Sequence, residues 1–167
     1  DISIKLSEII LTSKDGSSTI TIPASRFSAQ EGGRVQVIIP PTLGAVGSKW
    51  KECWKDPGHW VEWNVEVPSA GRYAVGLHYR ADGYCNLQLE VNGEKVDGLS
   101  GFVPPKTAGL DNYTRGTLPV PITLKKGNNT LRITTLGGDQ RSVPRFDGMF
   151  ALSAIHLTPL GAAGKPA

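Results

Sequence analysis

The sequence predicts an all-β chain folded as a two-sheet antiparallel β-sandwich, and three observations carry that reading. Val, Ile and Thr recur in short runs separated by turn residues, with 20 Gly and 12 Pro among 167 residues, a composition that favours strands and tight turns over helices. Several of these runs alternate apolar and polar residues at a period of two, the signature of strands with one buried face. The last run, Met149 to Leu157, is apolar on both faces and suits a central strand of a two-layer sandwich. A chain of this length buries roughly two thirds of its unfolded surface in one core, so a single domain over residues 1–159 is expected.

The elements follow in order. Ile2–Leu6 and Ser18–Ile22 alternate on either side of Lys14-Asp15-Gly16-Ser17 and predict an N-terminal hairpin or pair of edge strands. Pro40, Pro41 and Gly44 predict a surface loop over residues 38–48, because proline lacks a ladder donor and fixes φ. Val61, Trp63, Val65 and Val67 share one face; beyond a turn at residues 68–71, Tyr73, Val75, Leu77 and Tyr79 resume the alternation, which predicts an antiparallel hairpin. Leu87, Leu89 and Val91 lead into Asn92-Gly93, a strong two-residue hairpin turn. Leu118–Leu124 and Thr130–Thr134, joined through Lys125-Lys126-Gly127-Asn128, predict a further hairpin, with Pro119 and Pro121 placing its first strand at a sheet edge. Residues 97–117, rich in Gly, Pro, Thr and Asn, read as one long loop, the kind of segment where binding residues gather. Residues 160–167 have the composition of a linker and imply a neighbouring domain.

Charge and motif searches exclude several function classes. The formal net charge of +3 is spread along the chain without a run of like charges, so nucleic acid is not an expected partner. No segment approaches the roughly 20 apolar residues of a membrane helix, and no membrane partner is expected. The chain begins without Met or a leader-like segment and reads as a mature or excised fragment. Cys53 and Cys85 are too few for a disulfide scaffold; one bridge and two buried thiols both remain open. There is no G-x-S-x-G or H-E-x-x-H motif, and His59, His78 and His156 are scattered. Glu62, Glu66 and Glu90 fall on polar strand faces with no partner carboxylate placed across a cleft, so no catalysis is expected.

Three pieces of the chain resemble a known family. Gly58-His59-Trp60-Val61-Glu62-Trp63-Asn64-Val65-Glu66-Val67-Pro68-Ser69-Ala70-Gly71-Arg72-Tyr73 is similar to a paired-strand signature of carbohydrate-binding modules of families 6 and 35; Leu124-Lys125-Lys126-Gly127-Asn128-Asn129-Thr130-Leu131-Arg132-Ile133 resembles their L-x-x-G-x-N-T-L-R turn; and Arg145-Phe146-Asp147 stands in place of their N-x-D. Together the pieces span about residues 20 to 158. The resemblance implies a galactose-binding-like jelly roll and a secreted, extracellular or periplasmic module. Such a module is non-catalytic and monomeric, is joined to a catalytic domain in the parent chain, and binds a poly- or oligosaccharide. It also implies a structural calcium ion held by a Glu of the first strand and by Asp147. Ser25 replaces that Glu here, leaving Glu31 as the other candidate ligand for a cation that requires several oxygens.

Sugar recognition calls for an aromatic face against the C–H patch of a pyranose and a few fixed polar groups. Tyr113, flanked by Asn112 and other polar residues, is the leading candidate, with Trp50, Trp54 and Tyr84 as further loop aromatics; Trp50 and Trp54 serve equally well as caps on the core. Trp63, Tyr73 and Tyr79 read as core. Arg145 stands where the family places a sugar-contacting Asn, and together with Arg141 it suits a carboxylate or sulfate better than a neutral hydroxyl. The competing expectation is a structural sandwich that packs on a glycosidase or sulfatase and binds no sugar.

Overall fold

The computed structural model describes residues 10–12, 18–38, 45–47, 56–81, 83–108, 112–138 and 150–161. Among them are thirteen strands: β1 (Ile10–Thr12), β2 (Ser18–Pro23), β3 (Ala29–Glu31), β4 (Gln36–Ile38), β5 (Ala45–Gly47), β6 (Trp60–Val67), β7 (Gly71–Ala81), β8 (Cys85–Val91), β9 (Glu94–Phe102), β10 (Thr114–Thr117), β11 (Ile122–Leu124), β12 (Gly127–Gly138) and β13 (Phe150–Pro159). They form two antiparallel sheets. One has five strands in the order β3-β6-β12-β8-β9; the other has eight, with β13 between β7 on one side and β2 and β5 on the other, and with β10 and β11 both on the outer edge of β7. The two-sheet all-β expectation holds.

The period-two alternation locates the core. Val61, Trp63, Val65 and Val67 of β6 are buried, as are Tyr73, Val75, Leu77, Tyr79 and Ala81 of β7. The expected hairpin between these strands does not form, because β6 pairs with β3 and β12 while β7 pairs with β10, β11 and β13. The turn at residues 68–70 instead carries the chain from one sheet to the other, so that the two apolar faces meet across the core. Burial drives this arrangement as well as it would drive a hairpin, since the pattern fixes which face is apolar and not which strand lies alongside. The Tyr73 hydroxyl donates to the carbonyl of Ser69 at 2.7 Å and ties the crossing to the core.

The expected hairpin around Gly127 is likewise a crossing between sheets. β11 pairs with β7, and β12 with β6 and β8. Here the side chain of Asn129 replaces a ladder: its Nδ2 donates to the carbonyls of Lys125 and Gly127 at 2.8 and 3.0 Å, and its Oδ1 accepts from the Lys125 amide at 3.1 Å. β11 lies at the sheet edge directly after Pro121, as the prolines require. The Asn92-Gly93 hairpin forms as expected, with φ of 52° and 83° at the two residues, the all-positive geometry of a type I′ turn.

Ser18–Ile20 pairs with Ile10–Thr12, Thr12 standing opposite Ser18, while the other expected strand, Ile2–Leu6, lies outside the described residues. Two further expectations are corrected. Residues 38–48 are not wholly a loop, because Ile38 ends β4 and Ala45–Gly47 forms β5; the two strands pair with each other and β5 pairs with β13, while Pro40 and Pro41 lie outside the described residues. Residues 97–117 include the second half of β9 and all of β10. β9 hides from a periodicity search because its pairing with β8 shifts register twice and positive-φ glycines occur at 98 and 101. Those irregularities leave Leu99 as its one fully buried side chain.

Trp63, Tyr73 and Tyr79 are core residues, as expected, together with Leu77, Leu131, Ile133 and Phe150. The Trp63 indole donates to the carbonyl of Ala24 at 2.9 Å and so anchors the 3-10 turn Ala24–Arg26 to the core. Cys85 is buried at the start of β8, whereas Cys53 lies outside the described residues.

Candidate functional site

Alternation that buries the odd-numbered residues of β7 turns the even-numbered ones outward. The outer face of the eight-stranded sheet therefore carries Arg72, Ala74, Gly76, His78 and Arg80 in one row. A register shift in β13 at Ser153 puts His156 opposite Gly76 and Thr158 opposite Ala74. On the far side of β13, Thr21 of β2 faces His156. On the other side of β7, Arg115 of β10 stands opposite His78, and Thr117 opposite Gly76.

Part of this surface forms an open depression of ≈ 260 Å³, lined by Thr19, Ala74, Gly76, Leu77, Arg115, Gly116, Thr117, His156 and Thr158. It exists because its floor has almost no side chains: a Cβ on Gly76 would come within 3.3 Å of the His156 Cβ. Its walls carry hydroxyls, a guanidinium and an imidazole. Thr19 and Thr158 share a hydrogen bond at 3.0 Å, and the Thr21 hydroxyl meets His156 Nδ1 at 3.0 Å. His156 Nε2 is shielded from solvent and has no hydrogen-bond partner among the described residues. Buried polar atoms of this kind are rare, and each one asks for an explanation.

Toward the β10 end of the depression, the His78 ring lies 5.6 Å from that of Tyr113 at 46°, and the Arg80 guanidinium sits 5.8 Å from the Tyr113 ring centre. His78 Nδ1 is hydrogen-bonded to the Ser153 hydroxyl. The Tyr113 hydroxyl is buried and has no hydrogen-bond partner among the described residues. Burial holds the His78 imidazole below its ordinary pKa, with Arg115 adding to the effect; burial does the same to His156, followed by Arg115 and then His78. Both rings are thus largely neutral at neutral pH.

Charge is segregated between the sheets. None of the eight strands of the larger sheet contains an Asp or Glu, whereas the five-stranded sheet holds Glu31, Glu62, Glu66, Glu90, Glu94 and Asp97. On the outer face of that second sheet the cation is already committed: the Arg132 guanidinium lies 3.9 Å above the Trp60 ring and bonds the Glu62 carboxylate at 2.9 and 3.0 Å. Glu62 is therefore paired rather than merely solvated.

The sequence-derived candidates are dispersed. Tyr113 is partly buried beside His78, and Asn112 is exposed with its amide donating to the Ala108 carbonyl. Tyr84 is 46% exposed in the turn between β7 and β8. Glu31 is exposed at the end of β3, paired in register with Trp60. Trp50, Trp54, Arg141, Arg145 and Asp147 lie outside the described residues. Among the described residues no three His, Cys, Asp or Glu side chains gather, and Asp147, the expected partner of Glu31 at a calcium ion, lies outside them. The sequence alone singles out neither Arg115, Gly76 nor the threonines, and it shows His78 and His156 only as scattered histidines. The available signal was the complete lack of carboxylates in Gly71–Ala81 and Phe150–Pro159.

With this geometry in view, known proteins provide the relationship. The family model "Carbohydrate binding module (family 6)" matches residues 24–149. No curated protein matches the chain. Among solved structures, the chain resembles a family 35 carbohydrate-binding module from Clostridium thermocellum, with a TM-score of 0.63 at 19% identity over 84% of this chain and 97% of that one. It also resembles a module of Cellvibrio mixtus lichenase 5A in complex with cellotriose, at TM-score 0.55 and 20% identity, covering 84% and 96%. A GH26-CBM35 β-(1,4)-mannanase of Podospora anserina matches at TM-score 0.61 and 17% identity over 89% of this chain, which spans only 28% of the mannanase. At such identities the structural likeness is one of fold, and the assignment rests on the family match over most of the sandwich: the chain belongs to the family 6 carbohydrate-binding modules, which are non-catalytic binding domains.

Proposed function

We propose that this module holds a linked, secreted polysaccharide-active enzyme on its glycan, and that it grips an anionic sugar on the outer face of the eight-stranded sheet. The observation that carries the reading is the depression between Arg115 and His156, floored by Gly76 and Ala74, on a sheet whose strands contain no carboxylate. A floor with no side chain larger than a methyl admits a pyranose ring, threonine hydroxyls match sugar hydroxyls, and an Arg fork suits a carboxylate or sulfate. The Podospora anserina relative, a mannanase that includes such a module, supports the linkage to an enzyme.

The test is affinity electrophoresis of the chain through gels containing a neutral, a uronate or a sulfated polysaccharide. Retardation is expected in the charged gels, weaker in 0.5 M salt, where the Debye length falls below about 5 Å. Arg115→Ala should weaken it by about tenfold, the value of roughly 1.4 kcal/mol for one charge pair at a wet surface. Equal retardation of the wild type and the variant, or preference for the neutral glycan, would refute the anionic reading. Tyr84 and Val103, 46% and 49% exposed near the loops at one end of the sandwich, favour a second reading, in which that end packs on a catalytic domain. That reading predicts no retardation in any gel.

A further inference from the structure

We propose that His156 is a second ligand-holding group of the depression and takes up a proton as an anionic sugar seats beside Arg115, so that affinity for a charged glycan rises on acidification. The inference rests on the anionic reading above and adds the group that regulates the same site.

The geometry comes from the hydrogen-bond inventory of one ring. His156 Nδ1 is engaged by the Thr21 hydroxyl at 3.0 Å, while Nε2 of the same ring, which belongs to a residue lining the depression, is buried and has no hydrogen-bond partner among the described residues. A neutral imidazole can satisfy Thr21 with either tautomer. The imidazolium donates from both nitrogens, and its Nε2–H requires an acceptor that the described protein does not supply. A carboxylate or sulfate oxygen held by Arg115 becomes such an acceptor when a small turn of the ring uncovers the buried Nε2. The proton comes from solvent, no covalent bond to carbon changes, and the ligand's negative charge is then shared by two cations.

The surroundings of His156 set the sign. β2 presents Thr19 and Thr21, β7 presents Ala74, Gly76 and His78, and β10 presents Arg115 and Thr117; of these, Arg115 and His78 are the charged or titratable groups. Burial and the Arg115 charge both oppose protonation in the free module. An anion paired with Arg115 removes the second of these and adds an attraction, so proton affinity is higher in the complex than in the free protein. Linkage then requires ligand affinity to be highest below the free-state pKa and to fall as pH rises through the bound-state pKa, by at most about tenfold per pH unit for one proton. His78 is less suited to this role, since its Nδ1 is bonded to Ser153 and its ring packs on Tyr113.

The experiment is calorimetric titration of the whole chain with trigalacturonic acid between pH 7.5 and 5.5, in two buffers of different ionisation enthalpy. The fully methyl-esterified trimer serves as a neutral probe. The acid keeps its charge throughout this range, so a change in its affinity reports on the protein. The proposal expects wild-type affinity to rise roughly three- to tenfold over this interval, with measurable proton uptake. In His156→Gln and His156→Asn, which mimic Nε2 and Nδ1 respectively without titrating, uptake should vanish and affinity should become flat with pH. Binding without proton uptake in the wild type overturns the proposal while leaving the anionic reading in place, and so does uptake that persists in both variants. Absence of binding to the acid at every pH, or equal affinity for acid and ester, overturns the anionic reading and the proposal with it.

Discussion

Gly76→Val should silence glycan binding and leave the sandwich standing. Gly76 lies mid-strand in β7 at an ordinary strand conformation, so a side chain there meets no left-handed backbone strain. The new Cβ would lie 3.3 Å from the His156 Cβ and 3.9 Å from its Cδ2, tighter than usual by a few tenths of an ångström. The 3.3 Å neighbour is a carbon held by the β13 backbone, so the contact is relieved by a shift of a few tenths of an ångström between β7 and β13 rather than by a swing of the imidazole. Against this contact stands the relief of glycine's conformational penalty, roughly 0.5–1 kcal/mol, and the preference of strands for a β-branched residue. Overpacking costs about 1–3 kcal/mol in closed cores and falls toward the low end at an open surface. The terms nearly cancel, and the melting temperature should move by no more than about 4 °C. Binding has no such compensation, because the two added methyls occupy the floor of a depression of only ≈ 260 Å³. A loss of at least about tenfold in affinity is expected, equivalent to roughly 1.4 kcal/mol. Titration with the best-binding oligosaccharide, paired with a thermal melt, reads both quantities. A variant that melts like the wild type and binds equally well would remove the depression from the account.

Two further substitutions test the scaffold. Asn129→Ala removes the side chain that closes the crossing between β11 and β12 and that also accepts from Asn92 Nδ2 at 3.0 Å. With four hydrogen bonds lost at a buried position, a loss of about 3 kcal/mol is expected, seen as a fall of about 6–12 °C in Tm; a change under 2 °C would show that the turn holds without it. Trp63→Phe keeps a core ring but leaves the Ala24 carbonyl without the indole donor. It should lower the urea midpoint by the equivalent of about 2 kcal/mol at unchanged slope, and an unchanged midpoint would contradict the anchoring role given to that bond.

Alternation in the sequence identifies which side chains are buried with good fidelity, since Trp63, Tyr73 and Leu77 need only a covered face. It is blind to which sheet a strand joins. The turns after Val67 and after Leu124 therefore read as hairpins, although each carries the chain across the sandwich. Only Asn92-Gly93 has turn chemistry specific enough to dictate pairing, through two consecutive positive-φ residues. β9 escaped because its bulges break the period. The site was harder to read than the fold. Tyr113 drew attention as a loop aromatic, yet its importance depends on His78 and Arg80, which lie more than 30 residues away in sequence and reach it only through the pairing of β10 with β7. Arg115, Gly76, His156 and Thr19 come from four different strands, and no local motif unites them. What was legible is global: a sheet built from eight strands that contain no acidic residue.

The central claim is that the glycan lies on the outer face of that sheet. Amide chemical-shift mapping during titration with a uronate oligosaccharide tests it most directly. Perturbations should centre on Thr19, Gly76, Arg115, Thr117 and His156 and leave the outer face of the five-stranded sheet, around Trp60 and Arg132, unchanged. Shifts confined to the five-stranded sheet or to the loops around Tyr84, or no shifts at saturating ligand, would contradict it.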